Sequence, residues 1–209
     1  MIHPSTELRF INNHIGYGVF ATDFIPRGTI TWVQDSFDQV FSPAHVDRLS
    51  PFHQAILDKY AFTDARGSFV LCWDLGRFVN HSCAPAALSP GYNFEIAVRD
   101  IAPGEELTDD YGTLNLDTPF ACSCGMPECR RIVGPEDAVH YSDRWDQLVS
   151  EAFPLISTVQ QPMWHLVREK SNVFKAIEDN SLIASCRGNF RCFQAGAGDA
   201  PLNSDMAVA

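Results

Sequence analysis

No run in this 209-residue chain approaches the roughly eighteen uninterrupted apolar residues that a membrane helix requires, so no membrane span is expected. The opening stretch, MIHPSTELRF, has neither the basic start nor the apolar core of a signal peptide, and a soluble intracellular protein is expected. Basic side chains are scarce: 15 lysines and arginines face 26 acids, for a formal net charge of −11. An acidic surface repels phosphates, which argues against direct nucleic-acid binding and favours encounter with basic partners. Internal repeats are absent. The seven cysteines are an odd number, and in a reducing compartment thiols turn to metals more readily than to one another.

What is present suffices for a real core. Hydrophobic residues make up 45% of the chain and aromatics 11%, enough for one sizeable domain with an appendage or for two small ones. The first hundred residues read as short strands separated by turns. Residues 7–12, 17–22, 29–34, 68–73 and 94–98 carry β-branched or alternating apolar residues, and Pro26-Arg27-Gly28 and Ala102-Pro103-Gly104 punctuate them. Ser50-Pro51 has the form of an N-cap followed by a first-turn proline and predicts a helix through Tyr60. Beyond Gly134 the pattern turns helical. Val139, Trp145, Leu148, Val149 and Phe153 form one stripe up to Pro154, and Pro162 opens a second helix carrying Trp164, Val167, Phe174 and Ile177. The small, polar tail from residue 195 is expected to be disordered.

Two stretches carry chemistry. In RFVNHSCAPAAL, Cys83 beside His81 could be a nucleophile with its base, a metal ligand or a small buried thiol. In the second, Cys122, Cys124 and Cys129 fall within eight residues around Gly125 and Pro127. Three soft thiolates on one tight loop suit zinc at sulfur distances of about 2.3 Å. A closed tetrahedral site wants a fourth ligand, which Cys72, Cys83, Cys186, Cys192 or any of seven histidines could supply. The acids also concentrate: Glu95, Asp100, Glu105, Glu106, Asp109, Asp110 and Asp117 face Arg99 alone between residues 95 and 117.

Five pieces occur in a characteristic order: Gly16-Tyr17-Gly18, Ile25-Pro26-Arg27-Gly28, Asn80-His81-Ser82-Cys83, Pro103-Gly104-Glu105-Glu106-Leu107, and Asp110-Tyr111-Gly112. Over about residues 7 to 134 the chain resembles the SET-domain protein lysine methyltransferases, and CxCxxxxC followed by Arg130 resembles their post-SET zinc loop. The resemblance implies a mainly β fold of several small sheets with a pseudo-knot and a post-SET zinc loop, to which the helical patterning beyond Gly134, outside the resemblance, adds a helical C-terminal extension. The chain is thus expected to divide into a SET domain at 1–116, a post-SET loop at 117–134, helices at 135–193 and a tail at 194–209.

By the resemblance, Gly16, Tyr17 and Gly18 cradle S-adenosyl-L-methionine, Asn80 and His81 contact it, and Phe120 and Ile132 wall it. Tyr111 is the catalytic tyrosine beside the methyl-transfer axis, giving orientation and electrostatic support. Cys83 joins Cys122, Cys124 and Cys129 around zinc, so the cysteine nucleophile is no longer needed. The implied substrate is a protein lysine, carried by a basic partner that pairs with a strand edge. Two positions depart from the family pattern. Ala86 stands where asparagine is usual, and Asp109 stands where an aromatic residue usually lines the lysine channel. An aspartate there attracts an ammonium but also stabilises its unreactive protonated form, which leaves the number of methyl groups open and motivates a second reading as a catalytically weak binding module.

Overall fold

The computed structural model describes residues 1–194; the expected disordered tail lies outside them. The described residues hold twelve short strands: β1 (Thr6–Asn12), β2 (Gly16–Ala21), β3 (Ile30–Val33), β4 (Gln39–Phe41), β5 (Ala61–Thr63), β6 (Phe69–Leu71), β7 (Asn80–His81), β8 (Ala87–Leu88), β9 (Phe94–Ala97), β10 (Glu106–Asp109), β11 (Phe120–Ala121) and β12 (Ile132–Val133). They form four small sheets, ordered β1-β2-β10-β7, β3-β9-β8, β4-β6-β5 and β11-β12. The helices are α1 (Pro43–Val46), α2 (Pro51–Tyr60), α3 (Asp137–Ala152) and α4 (Lys170–Glu178). Among the described residues no helix is long and apolar enough to cross a membrane.

Helix α2 begins as its sequence dictates. The Ser50 side chain accepts from His53 N, and Pro51 occupies the first turn, where its missing N–H costs nothing. Helix α3 turns Ala138, Ser142, Trp145, Val149 and Ala152 inward, leaving Val139 of the expected stripe exposed. Pro162 does not open a long helix: the chain makes a 3-10 turn at Trp164–Leu166, and α4 starts only at Lys170.

Sheet β3-β9-β8 divides the interior. On one face Ile30, Leu88, Phe94 and Ile96 pack with Trp145, Val149, Phe153, Val173 and Phe190, so the C-terminal helices share the larger core. On the other face Trp32, Ala87 and Ala97 meet Val19, Ala21, Ile101 and Leu107. Successive even positions on a regular strand point the same way. An irregularity between Ile30 and Trp32 breaks that rule and sets Trp32 opposite Glu95 on β9. Ala86, where a polar residue was expected, is fully buried in the second core.

Candidate active site

Strands β7 and β10 run parallel, with Thr108 opposite Asn80 and Asp109 opposite His81. Side chains alternate across a strand, so neighbours on β10 face opposite sides. Thr108, with Asn80, His81 and Ile15, lines a cavity of about 250 Å³. Asp109, with Tyr111 and Val79, lines a separate cleft of about 1100 Å³. The two hollows back onto each other across this strand pair.

On the small-cavity side, Asn80 Nδ2 donates to the Tyr17 carbonyl at 3.0 Å and to Glu106 Oε1 at 2.8 Å, tying the glycine loop to β7. Gly16 adopts φ +87°, open to glycine at no steric cost. At Gly18 a Cβ would collide with Glu106 Oε1 and stand 2.9 Å from Asn80 Nδ2, so only glycine lets the loop lie this close. Tyr17 is half-exposed and packs edge-on against Phe10 and Phe78.

On the cleft side, the Tyr111 hydroxyl donates to the Val79 carbonyl at 2.7 Å. Burial drives its phenol upward, away from ionisation. Phe120 packs edge-on against both His81 and Tyr111, whereas Ile132 is 64% exposed and stands apart from them. Asp109 is buried and lies within hydrogen-bonding reach of Glu95, a residue that sequence reasoning left unassigned. Burial pushes Asp109 well up and Glu95 up to about 7, so the two carboxyls hold protons far more tightly than in water. A signal existed for Glu95: it is the one acid in the apolar run Phe94–Val98.

The thiols gather beside this site. His81 Nε2 and the sulfurs of Cys83, Cys122 and Cys124 all lie within 4.8 Å of one another. Cys129 joins them, with its thiol in reach of those of Cys122 and Cys124 and its Sγ 3.6 Å from the Cys122 carbonyl. Cys72 and Cys186 are buried elsewhere and Cys192 is exposed. Burial pushes the thiols of Cys83 and Cys122 up. Burial also opposes ionisation of Cys124, yet backbone N–H groups of Cys83 and Met126 and the neighbouring thiols bring it down to about 7. Soft donors packed this closely fit a tetrahedral zinc ion, whose charge would let all of them ionise.

Behind the tyrosine lies a buried polar knot. Arg130, next to Cys129, pairs with Asp110 and lies 3.2 Å from Asp137, while its guanidinium sits over the Tyr141 ring. Trp145 Nε1 donates to Asp110 Oδ2 at 3.1 Å. A Cβ at Gly112 would press within 3.0 Å of Asp137 and Trp145, which explains a glycine after Tyr111. Helix α3 thus holds both the tyrosine segment and the thiol loop.

Residues 16–112 match the family model for the SET domain. The histone-lysine N-methyltransferase of Candida albicans described as H3 lysine-36 specific is 29% identical over 169 residues, covering 71% of this chain and 19% of that protein. The H3 lysine-4 specific enzyme of Schizosaccharomyces pombe is 41% identical over 64 residues, covering 27% of this chain and 7% of that protein. This chain therefore spans less than a quarter of the length of these relatives. The methyltransferase domain of human SETMAR aligns over 64% of this chain and 58% of its own at 21% identity, with a TM-score of 0.43. Through residues 16–112, just under half of its length, the chain is similar to the SET domain family.

Proposed function

We propose that this protein transfers a methyl group from S-adenosyl-L-methionine to a lysine amine of a protein substrate. The observation that carries this reading is the pair of hollows on opposite sides of β7 and β10, with Tyr111 and Asp109 on the wider side and Asn80 and His81 on the narrower. Two reactants that enter from opposite faces and meet in line would need the two hollows joined through this strand pair, and their alignment would supply a large part of the rate gain. The glycine loop, Asn80 and His81 suit the cofactor, which when bound supplies an electrophilic methyl on a sulfonium. Phe120, packed on His81 and Tyr111, would border the cofactor.

Tyr111 orients the incoming amine and offers its hydroxyl dipole. It remains a protonated phenol, so it acts without taking the substrate proton. Cys83, Cys122, Cys124 and Cys129 would hold zinc, which pins the loop from Phe120 to Val133 against the site. The partner is a basic, lysine-bearing protein such as the histones named for the relatives, in keeping with this chain's charge of −11. That charge also disfavours a direct nucleic-acid partner.

Incubation with labelled S-adenosyl-L-methionine and a basic protein pool, under reducing and zinc-replete conditions, should place label on lysine. Absence of both transfer and calorimetric cofactor binding would sink the proposal. Asp109 favours one alternative, a catalytically weak binding module. In that case a partner binds wild type and Tyr111→Phe equally, and neither turns over.

A further inference from the structure

The C-terminal segment lies beyond the span that matches the SET domain, yet it reaches back to the turn that carries Tyr111. The junction between them is Asn115. Tyr111–Thr113 form a 3-10 turn, closed by Leu114 N–H donating to the Tyr111 carbonyl at 3.0 Å, and Asn115 follows at once. Its φ is +54°, in the left-handed region that asparagine tolerates better than most side chains. Its side chain is fully engaged. Nδ2 donates to the Thr63 carbonyl at 2.9 Å and to the Asn189 carbonyl at 2.8 Å, while Oδ1 accepts from Arg191 N–H at 2.8 Å. The Arg191 guanidinium adds a bond to the Asn115 carbonyl at 2.8 Å and pairs with Asp117 at 2.6 Å.

Between the two residues that meet Asn115, Phe190 enters the core. It is fully buried and packs edge-on against Trp145, whose indole N–H donates to Asp110. The tripeptide Asn189-Phe190-Arg191 therefore grips the Tyr111 turn from both ends: through Trp145 and Asp110 before the tyrosine, and through Asn115 after it. Thr63, Asn115, Asp117 and Asn189 line the wide cleft together with Tyr111. Asn189 Nδ2 also donates to Ser89 Oγ at 2.8 Å, elsewhere in the same wall. An uncommon backbone conformation held by this many bonds at the edge of a cleft is there to fix a shape.

We infer that Asn115 is a positioning residue that clips Asn189–Arg191 onto the Tyr111 turn, so that the C-terminal extension forms part of the reaction site. The consequence for turnover rests on the methyl-transfer reading. Asn115 touches neither reactant in this role. It fixes the separation of β5 from the tyrosine turn, and with it the alignment of a substrate on the Tyr111 hydroxyl. A misplacement of about 1 Å in such alignment costs on the order of 100-fold in rate.

Two measurements test the clip. Native-state hydrogen exchange on the zinc-loaded full chain should show the amides of Thr113, Leu114 and Arg191 opening together, because one junction holds them all. Asn115→Gly keeps the left-handed backbone and removes the side-chain bonds. Exchange at those amides should then rise about tenfold or more, with the β1-β2 hairpin unchanged. In methyl transfer to histone H3, kcat of this variant should fall about 10–100-fold, while calorimetric affinity for S-adenosyl-L-methionine is retained. Ser185→Ala, which costs the same segment a bond to Asp146 away from the turn, should lower stability without lowering kcat. Wild-type kcat in Asn115→Gly, an equal fall in Ser185→Ala, or Arg191 opening while Thr113 and Leu114 stay protected would overturn the clip. Asn115→Asp, which sets a carboxylate against the Thr63 and Asn189 carbonyls, gives the same readings if the glycine variant does not fold, and the wild-type exchange pattern decides if neither does. Linked opening in a chain that transfers no methyl would keep the clip and lose the methyl-transfer reading; transfer with unlinked opening would do the reverse.

Discussion

The backbone N–H of Tyr111 donates to His81 Nδ1 at 3.1 Å, joining the two residues across the parallel strand pair. A backbone N–H can only donate, so Nδ1 is the bare nitrogen and the ring proton sits on Nε2. Burial, aided by Arg130, lowers His81 to about 4 and keeps the ring neutral. Nε2–H then points at Cys83 Sγ, 3.3 Å away. His81 is thereby a hydrogen-bond donor to the Cys83 sulfur, which on the proposed reading leaves Cys129 as the fourth zinc ligand in its place. Cobalt-substituted protein should give the absorption of a four-sulfur tetrahedral site. His81→Gln should keep that spectrum while weakening metal affinity by about 10–100-fold. A three-sulfur, one-nitrogen spectrum would rule this arrangement out.

Removing the Tyr111 hydroxyl separates chemistry from folding. Tyr111→Phe loses one hydrogen bond to Val79, a cost of about 1 kcal/mol of stability. Its single-turnover methyl transfer should fall about 100-fold or more, the scale of one lost electrostatic donor. Retention of wild-type turnover would remove Tyr111 from the chemistry.

The polar knot behind the tyrosine should respond unequally to its parts. Trp145→Phe leaves Asp110 Oδ2 without its indole donor and should cost about 1–3 kcal/mol in urea denaturation. Arg130→Met strands a buried carboxylate and should cost about 3–5 kcal/mol. It should also loosen the thiol loop, measurable as faster zinc loss to a chelator. Equal, small effects would mean that α3 packs here without holding the site.

Glu95 carries a pH signature. Its folded pKa, about 7, lies above the ordinary carboxylate value, so the folded state binds the proton more tightly than the unfolded chain. Its stabilising contribution is full below about pH 4 and is lost as pH rises toward 7. Glu95→Gln removes that loss. The variant should gain roughly 1–3 kcal/mol over wild type at pH 8 and little or nothing at pH 4. A gain equal at both pH values would contradict a raised Glu95.

Local chemistry made several elements legible before any packing was known. Ser50-Pro51 caps and opens α2, and the alternation in residues 7–12 and 17–22 became the hairpin β1-β2, because turns, caps and short strands depend on adjacent residues. Pro162 misled because the helix pattern after it is interrupted by packing of Met163 and Val167 into the larger core, which no local period reports. The spaced cysteines, the glycine loop and Asp110-Tyr111-Gly112 declared the family for the same local reason: each piece is contiguous.

Local sequence supplies the inventory: three thiols on one loop, a glycine turn, a tyrosine, and an aspartate where an aromatic was expected. Which of these meet was decided only by the tertiary structure. The irregularity in β3 sets Trp32 opposite Glu95, and the β7–β10 pair turns Thr108 to one hollow and Asp109 to the other. Burial of Asp110 under Arg130 and Trp145 binds α3 to the Tyr111 segment. These contacts join residues 20 to 63 positions apart, and their energies come from desolvation and paired charge, which exist only once the chain has closed around them.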